Sequence, residues 1–190
     1  RTARALDCRP EDAVLDLGCG PGNLLERLRG RRIVGLDLSE SLAEKARRRT
    51  AGRPGVEVVV APGEAIPFPD GAFDRAVCSE VLEHVEDPGA VVRELHRVCR
   101  SGARAVFTLP NEGLINAAKR VVLALGLRRW VAGGYPMSDN MLHEWHRNEL
   151  SRADLEDVCR GRFEPLGAWD VPSRLAPFHR VLAYRVVKGR

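Results

Sequence analysis

The sequence predicts an α/β fold: a mostly parallel seven-stranded sheet with helices on both faces and an antiparallel hairpin at its C-terminal end. Three observations carry that prediction. Short apolar runs alternate with helical patterns along most of the chain. The runs are predominantly apolar, as strands covered on both faces are. The chain then closes on two strand-like runs joined by a short connection containing proline.

The first five strands are expected at Ala13–Leu17, Ile33–Asp37, Val56–Ala61, Phe73–Cys78 and Ala103–Leu109. A helical pattern over Gly22–Arg29 comes after the first. Ser39 can cap a helix carrying Leu42, Ala43 and Ala46. Asp87 before Pro88 sets a capping acid ahead of a proline at the first helical position, opening a helix with Val91, Val92, Leu95 and Val98. After Pro110 the pattern changes: residues 113–131 read as an apolar-rich helix and 132–142 as loop. Ser151 and Asp154 make a capping box for a helix ending near Arg160. The hairpin is expected from Phe163–Val171 and Arg180–Lys188. No linker divides the chain, so 1–190 reads as one domain, with 111–147 a lid insertion on the substrate side.

Composition bounds the function. At 190 residues, 44% hydrophobic and 29% charged, the chain can bury a sizeable core and is not a disordered segment. Its longest apolar run, Val121 to Leu127, falls well short of the roughly twenty residues of a membrane span. The formal net charge of +4 is spread among 26 acids, and the Arg47-Arg48-Arg49 run lacks interleaved aromatics, so no nucleic-acid partner is expected. Cysteines 8, 19, 78, 99 and 159 form no CxxC pair, which points to a reducing, cytoplasmic setting. The chain opens on Arg1 without a signal-peptide pattern, and N-terminal helices are expected to be missing.

The most informative stretch is Val14-Leu15-Asp16-Leu17-Gly18-Cys19-Gly20-Pro21-Gly22. Glycines at 18, 20 and 22 let the backbone turn tightly and approach a ligand without Cβ obstruction. Asp37 ends the second strand fifteen residues after Gly22, where a carboxylate can accept from both hydroxyls of a ribose. A dinucleotide fingerprint would want a third glycine at position 23, where Asn23 stands. A nicotinamide-dependent oxidoreductase is therefore the weaker nucleoside reading.

Four blocks in order, VLDLGCGPG at 14–22, VGLDLS at 34–39, PGEAIPFPDGAFD at 62–74 and AVCSEVLEHVEDP at 76–88, resemble the class I S-adenosylmethionine-dependent methyltransferases, type 11 domains in particular. The resemblance implies a Rossmann-like sheet, S-adenosyl-L-methionine as cofactor with S-adenosyl-L-homocysteine as product, and a small-molecule acceptor, with oxygen the favoured atom of methylation. It would place Asp16 and the backbone of Gly18, Cys19 and Gly20 on the methionine part. Asp37 would take the ribose, Leu38 the adenine face, and Glu64 with the Ala65 N–H the adenine edge. Ser79 would lie beside the transferable methyl.

Methyl transfer from a sulfonium is an in-line displacement, for which the protein supplies alignment and a dry pocket. A general base is needed only when the acceptor arrives protonated. On the acceptor side, Glu80, Glu83 and His84 would share one face if helical, and could then hold a divalent metal, as in metal-dependent O-methyltransferases of similar pattern. His143 or His146 could complete such a set. The preferred reading assigns no metal and makes His84 and His146 pocket histidines of the catalytic site. An apolar acceptor would suit the apolar stretch over 114–131. A non-catalytic cofactor-binding partner subunit is the remaining alternative.

Overall fold

The computed structural model describes residues 2–110, 150–171 and 179–189. The elements are α1 (Thr2–Leu6), β1 (Ala13–Leu17), a single 3-10 turn (Leu25–Arg27), β2 (Arg32–Asp37), α2 (Glu40–Arg49), β3 (Val56–Val60), β4 (Phe73–Ser79), α3 (Pro88–Val98), β5 (Cys99–Pro110), α4 (Arg152–Cys159), β6 (Phe163–Val171) and β7 (His179–Val186). They build one seven-stranded sheet in the order β3-β2-β1-β4-β5-β7-β6. Its first five strands run parallel, while β7 pairs antiparallel with both β5 and β6. The predicted sheet and hairpin are both present.

Burial on both faces explains the predominantly apolar strands. Leu15, Leu17, Leu36 and Phe107 face a core covered by Val91, Val92 and Leu95 of α3 and Leu155 of α4. Val14, Ile33, Val77 and Val106 face a second core closed by Leu6 of α1, the 3-10 turn's Leu25, and Ala46 of α2. Each fully buried valine or leucine contributes about 1.5–3 kcal/mol. The helix starts obey the predicted chemistry. Ser39 Oγ accepts from the Leu42 amide, Asp87 Oδ1 from Ala90, and Ser151 and Asp154 form the reciprocal capping box.

One predicted helix is absent. Gly22–Arg29 yields only the 3-10 turn, because period three places Leu25 and Leu28 on the same buried side. The Arg53 guanidinium then takes the Leu25 and Leu28 carbonyls. A smaller departure lies at β5, which begins directly at the end of α3. Its register with β4 shifts between the Phe73–Cys99 and Arg75–Arg104 pairs, and Gly102 there has φ +77°. The 111–147 insertion and its 113–131 helix lie outside the described residues. Among those described, no helix is long and apolar enough to cross a membrane.

The strands' N-terminal edge is pinned by charge. Asp74 accepts from the Ala13 amide at 2.7 Å and pairs with Arg100 at 2.6 Å. Arg75 and Asp12 meet at 3.4 Å with side chains only 10% and 4% exposed. Removing one member of so buried a pair leaves the other short of its counter-charge. Asp12→Ala should therefore lower unfolding stability by about 3 kcal/mol, read from urea denaturation.

Candidate functional site

The strand order reverses between β1 and β4, and a cleft of about 770 Å³ opens there at the strands' C-terminal ends. Both place and size are those of a small-molecule site in an open α/β sheet. The β1 loop forms its floor. The Gly18 and Cys19 amides both donate to the Leu36 carbonyl, at 2.7 and 3.1 Å, tying the loop to β2. Gly18 has φ +71°, and a Cβ there would stand 2.1 Å from Val81 Cγ2, so Val81 occupies the place of its missing side chain. Gly20, at φ +51°, has open space where its side chain would be.

Asp37 is fixed by two backbone amides: Gly20 donates to Oδ2 at 2.8 Å and Ser39 to Oδ1 at 2.9 Å. Each oxygen keeps a lone pair, so two ligand hydroxyls can still be accepted. Leu38, beside it, is 72% exposed on the cleft wall and offers an apolar platform. Asp16 stands differently. Its side chain is buried, Oδ2 has no hydrogen-bond partner among the described residues, and burial together with repulsion from Asp37 pushes its carboxyl up to about 8. A cation placed beside such a carboxyl would favour its ionised form.

The other cleft acids are Glu64, Glu80 and Glu86, and no described lining residue is Lys or Arg. Cys19 lines the floor, its thiol pushed up to about 12 by burial, and Cys78 is raised by burial too. Both act as packing groups. Ala65 does not line the cleft: its N–H donates to the Pro62 carbonyl at 3.2 Å in a turn. Ser79 does, at the end of β4.

Beyond Ser79 the expected helical face over Glu80, Glu83 and His84 is absent. Glu80 takes φ +53°, a left-handed conformation costly for a residue with a side chain, and residues 81–86 form turns. That exit delivers Val81 into the space at Gly18, and the helix starts only at the Asp87 cap. Glu80 and His84 reach the cleft, whereas Glu83 is buried and does not line it. Among the described residues, no three His, Cys, Asp or Glu side chains converge as metal ligands. His143 and His146 lie outside the described residues.

Thr108, on β5, was missed in the sequence. Buried, it donates from Oγ1 to Glu80 Oε1 at 2.8 Å, so its 3.0 Å contact with Ser79 has the serine as donor. The signal that could have found it is one hydroxyl near the C-terminal end of an apolar run, two residues before Pro110.

Comparison with known proteins places this geometry. Residues 15–107 match the model of a family described as a methyltransferase domain. A 37.1 kDa protein in a Streptomyces fradiae transposon is 43% identical over 112 residues, covering 56% of this chain and 32% of that protein. A ubiquinone biosynthesis O-methyltransferase of Xanthomonas euvesicatoria is 32% identical over 185 residues, covering 91% of this chain and 75% of the relative. The solved S-adenosylmethionine-dependent methyltransferase of Mesorhizobium loti superposes with a TM-score of 0.71 at 18% identity, over 96% of this chain and 95% of that one. The chain spans only 32% to 62% of the length of the first curated relatives it matches.

The state of Asp16 fixes a pH dependence. Below about pH 8 the ligand-free carboxyl holds its proton, and a cation bound beside it would favour the carboxylate, so such binding would release that proton. Affinity for S-adenosylmethionine should rise about tenfold per pH unit up to about 8 and level above it. Asp16→Asn should flatten that slope in calorimetric titrations. The free fold should conversely lose stability from about pH 4 to 8, because the unfolded chain ionises first.

Proposed function

The chain belongs to the class I S-adenosylmethionine-dependent methyltransferases, and on that premise we propose that it methylates a hydroxyl oxygen of a small organic acceptor. The observation that carries the proposal is the carboxylate-lined cleft, with its unpartnered buried Asp16 oxygen and its twice-anchored Asp37. These residues fit the family's cofactor, which supplies a methyl group already activated on a positively charged sulfur. Asp16 faces the cationic end, Asp37 accepts from both ribose hydroxyls, Leu38 packs on the adenine and Glu64 lies at its edge. Ala65, turned into its own loop, takes no adenine contact in this reading.

On the acceptor side stand Ser79, Glu80 and His84. A hydroxyl must give up its proton as the new bond to carbon forms, and a positioned carboxylate or imidazole can receive it. Thr108 holds one oxygen of Glu80 and so sets the direction of that carboxylate. His146 belongs to the same proposal as a second histidine of the acceptor site. Oxygen as the target is supported by the relative named for ubiquinone O-methylation. A cytoplasmic setting fits the five cysteines, all of them free.

The test is to incubate the protein with methyl-labelled S-adenosylmethionine and a panel of phenols, catechols and carboxylic acids, tracking S-adenosylhomocysteine and the labelled product. Labelled ether from a hydroxyl acceptor is expected. Normal cofactor binding without turnover would favour a non-catalytic partner subunit, and no binding at millimolar concentration would overturn the whole reading. Asp37→Ala should weaken cofactor binding by about 1.5–3 kcal/mol in the same titrations, since hydroxyls and amides together lose their acceptor. Thr108→Val should cut turnover roughly tenfold while leaving cofactor affinity unchanged, with Thr108→Ser restoring it.

A further inference from the structure

Between β3 and β4 the chain crosses the sheet from rim to opposite edge, with prolines at 62, 67 and 69. Its cleft end carries Gly63 and Glu64, and two residues on Ile66 is buried in the core at 3% exposure. A buried backbone needs partners for its N–H and C=O, and this one has no strand beside it. Two side chains one turn apart on α3 supply them. Glu94 Oε2 accepts from the Ile66 amide at 2.8 Å, and Arg97 Nη2 donates at 2.9 Å to the Ile66 carbonyl, which also accepts from the Phe68 amide at 2.8 Å.

The same guanidinium donates from Nη1 to the Phe68 carbonyl and to Asp70, both at 2.8 Å. Its Nε and Nη2 meet the two Glu94 oxygens at 2.7 and 2.8 Å, a bidentate ion pair of fixed orientation. That pairing, with the Ile66 amide, holds the Glu94 carboxyl below the ordinary range. The Arg97 carbonyl accepts from the Gly71 amide at 3.0 Å and from Lys188 Nζ at 2.9 Å. Gly63 is confined as well: a Cβ on it would already be in contact with Val91 and Leu17.

We propose that Glu94 and Arg97 are positioning residues for the nucleobase end of the cleft, setting Gly63 and Glu64 through Ile66 and Phe68. The inference rests on the proposed cofactor reading and deepens it. Neither side chain lines the cleft. Their effect is on where the wall stands, so it should appear in the affinity of any ligand carrying the base.

The experiment uses S-adenosylhomocysteine and adenosine as probes in calorimetric titrations, with folding at the assay temperature checked by circular dichroism. Arg97→Lys keeps the charge but loses the planar donor set, and should raise both dissociation constants about tenfold. Glu94→Gln keeps an acceptor for the Ile66 amide and should give a smaller loss for both probes. It carries the test if the lysine variant fails to fold. Arg93→Ala, which removes an exposed pair with Asp87 on the same helix, should change neither. A lowered melting temperature with wild-type affinities in the Arg97 and Glu94 variants would overturn the proposal alone. A wild-type protein that binds neither probe would overturn the cofactor reading and this inference together.

Discussion

Asp37 accepts from the Gly20 and Ser39 amides at 2.8 and 2.9 Å, and the cleft is arranged around that carboxylate. One amide belongs to the glycine loop after β1, the other to the cap of α2. The acid therefore joins the two chain segments that must lie side by side for a nucleoside to bind. It is also already oriented before any ligand arrives, so binding does not have to order it. Replacing it would release the glycine loop from the cap of α2.

A second dependence runs from the same loop to β4. Because Gly18 has no side chain, Val81 packs into the vacant place, and the chain reaches it only by passing through a left-handed Glu80. Strain of this kind costs about 1–3 kcal/mol and is stable only where neighbours over-determine it. Here the Thr108 hydroxyl and the Val81 contact do so. A glycine just past one strand thus shapes the path of the chain just past another, where Glu80 stands.

The fold was legible because burial on both faces leaves an unmistakable trace. Runs such as Ala13–Leu17 and Phe73–Cys78 read as strands once helical patterns separate them. The caps at Ser39, Asp87 and Ser151 were equally legible, since each is a local hydrogen-bonding rule written in adjacent residues. The failures have a common cause. Residues 22–29 and 80–84 look helical by spacing, but tertiary contacts at Leu25, Leu28 and Val81 decide their course. Spacing cannot report a contact with a distant glycine. Thr108 left only a faint trace for the same reason: its contacts exist because β5 lies beside β4 in the register that pairs it with Ser79.

The choice of cofactor rests on the same electrostatics. A dinucleotide carries a diphosphate, and folds that bind one offer it a helix N-terminus after the first strand, with a glycine for close helix packing. In this chain that position holds Asn23, which accepts a hydrogen bond from Arg49, and the next element is a three-residue 3-10 turn rather than a helix. The described lining instead gathers five carboxyl groups, one of them buried and unpartnered at Oδ2. A diphosphate would meet repulsion from those carboxyl groups that are ionised. A sulfonium and an ammonium would meet attraction, and their charge would relieve the burial of Asp16 that the ligand-free protein must bear. The sign of the charge along the described lining thus suits a cationic ligand better than a diphosphate.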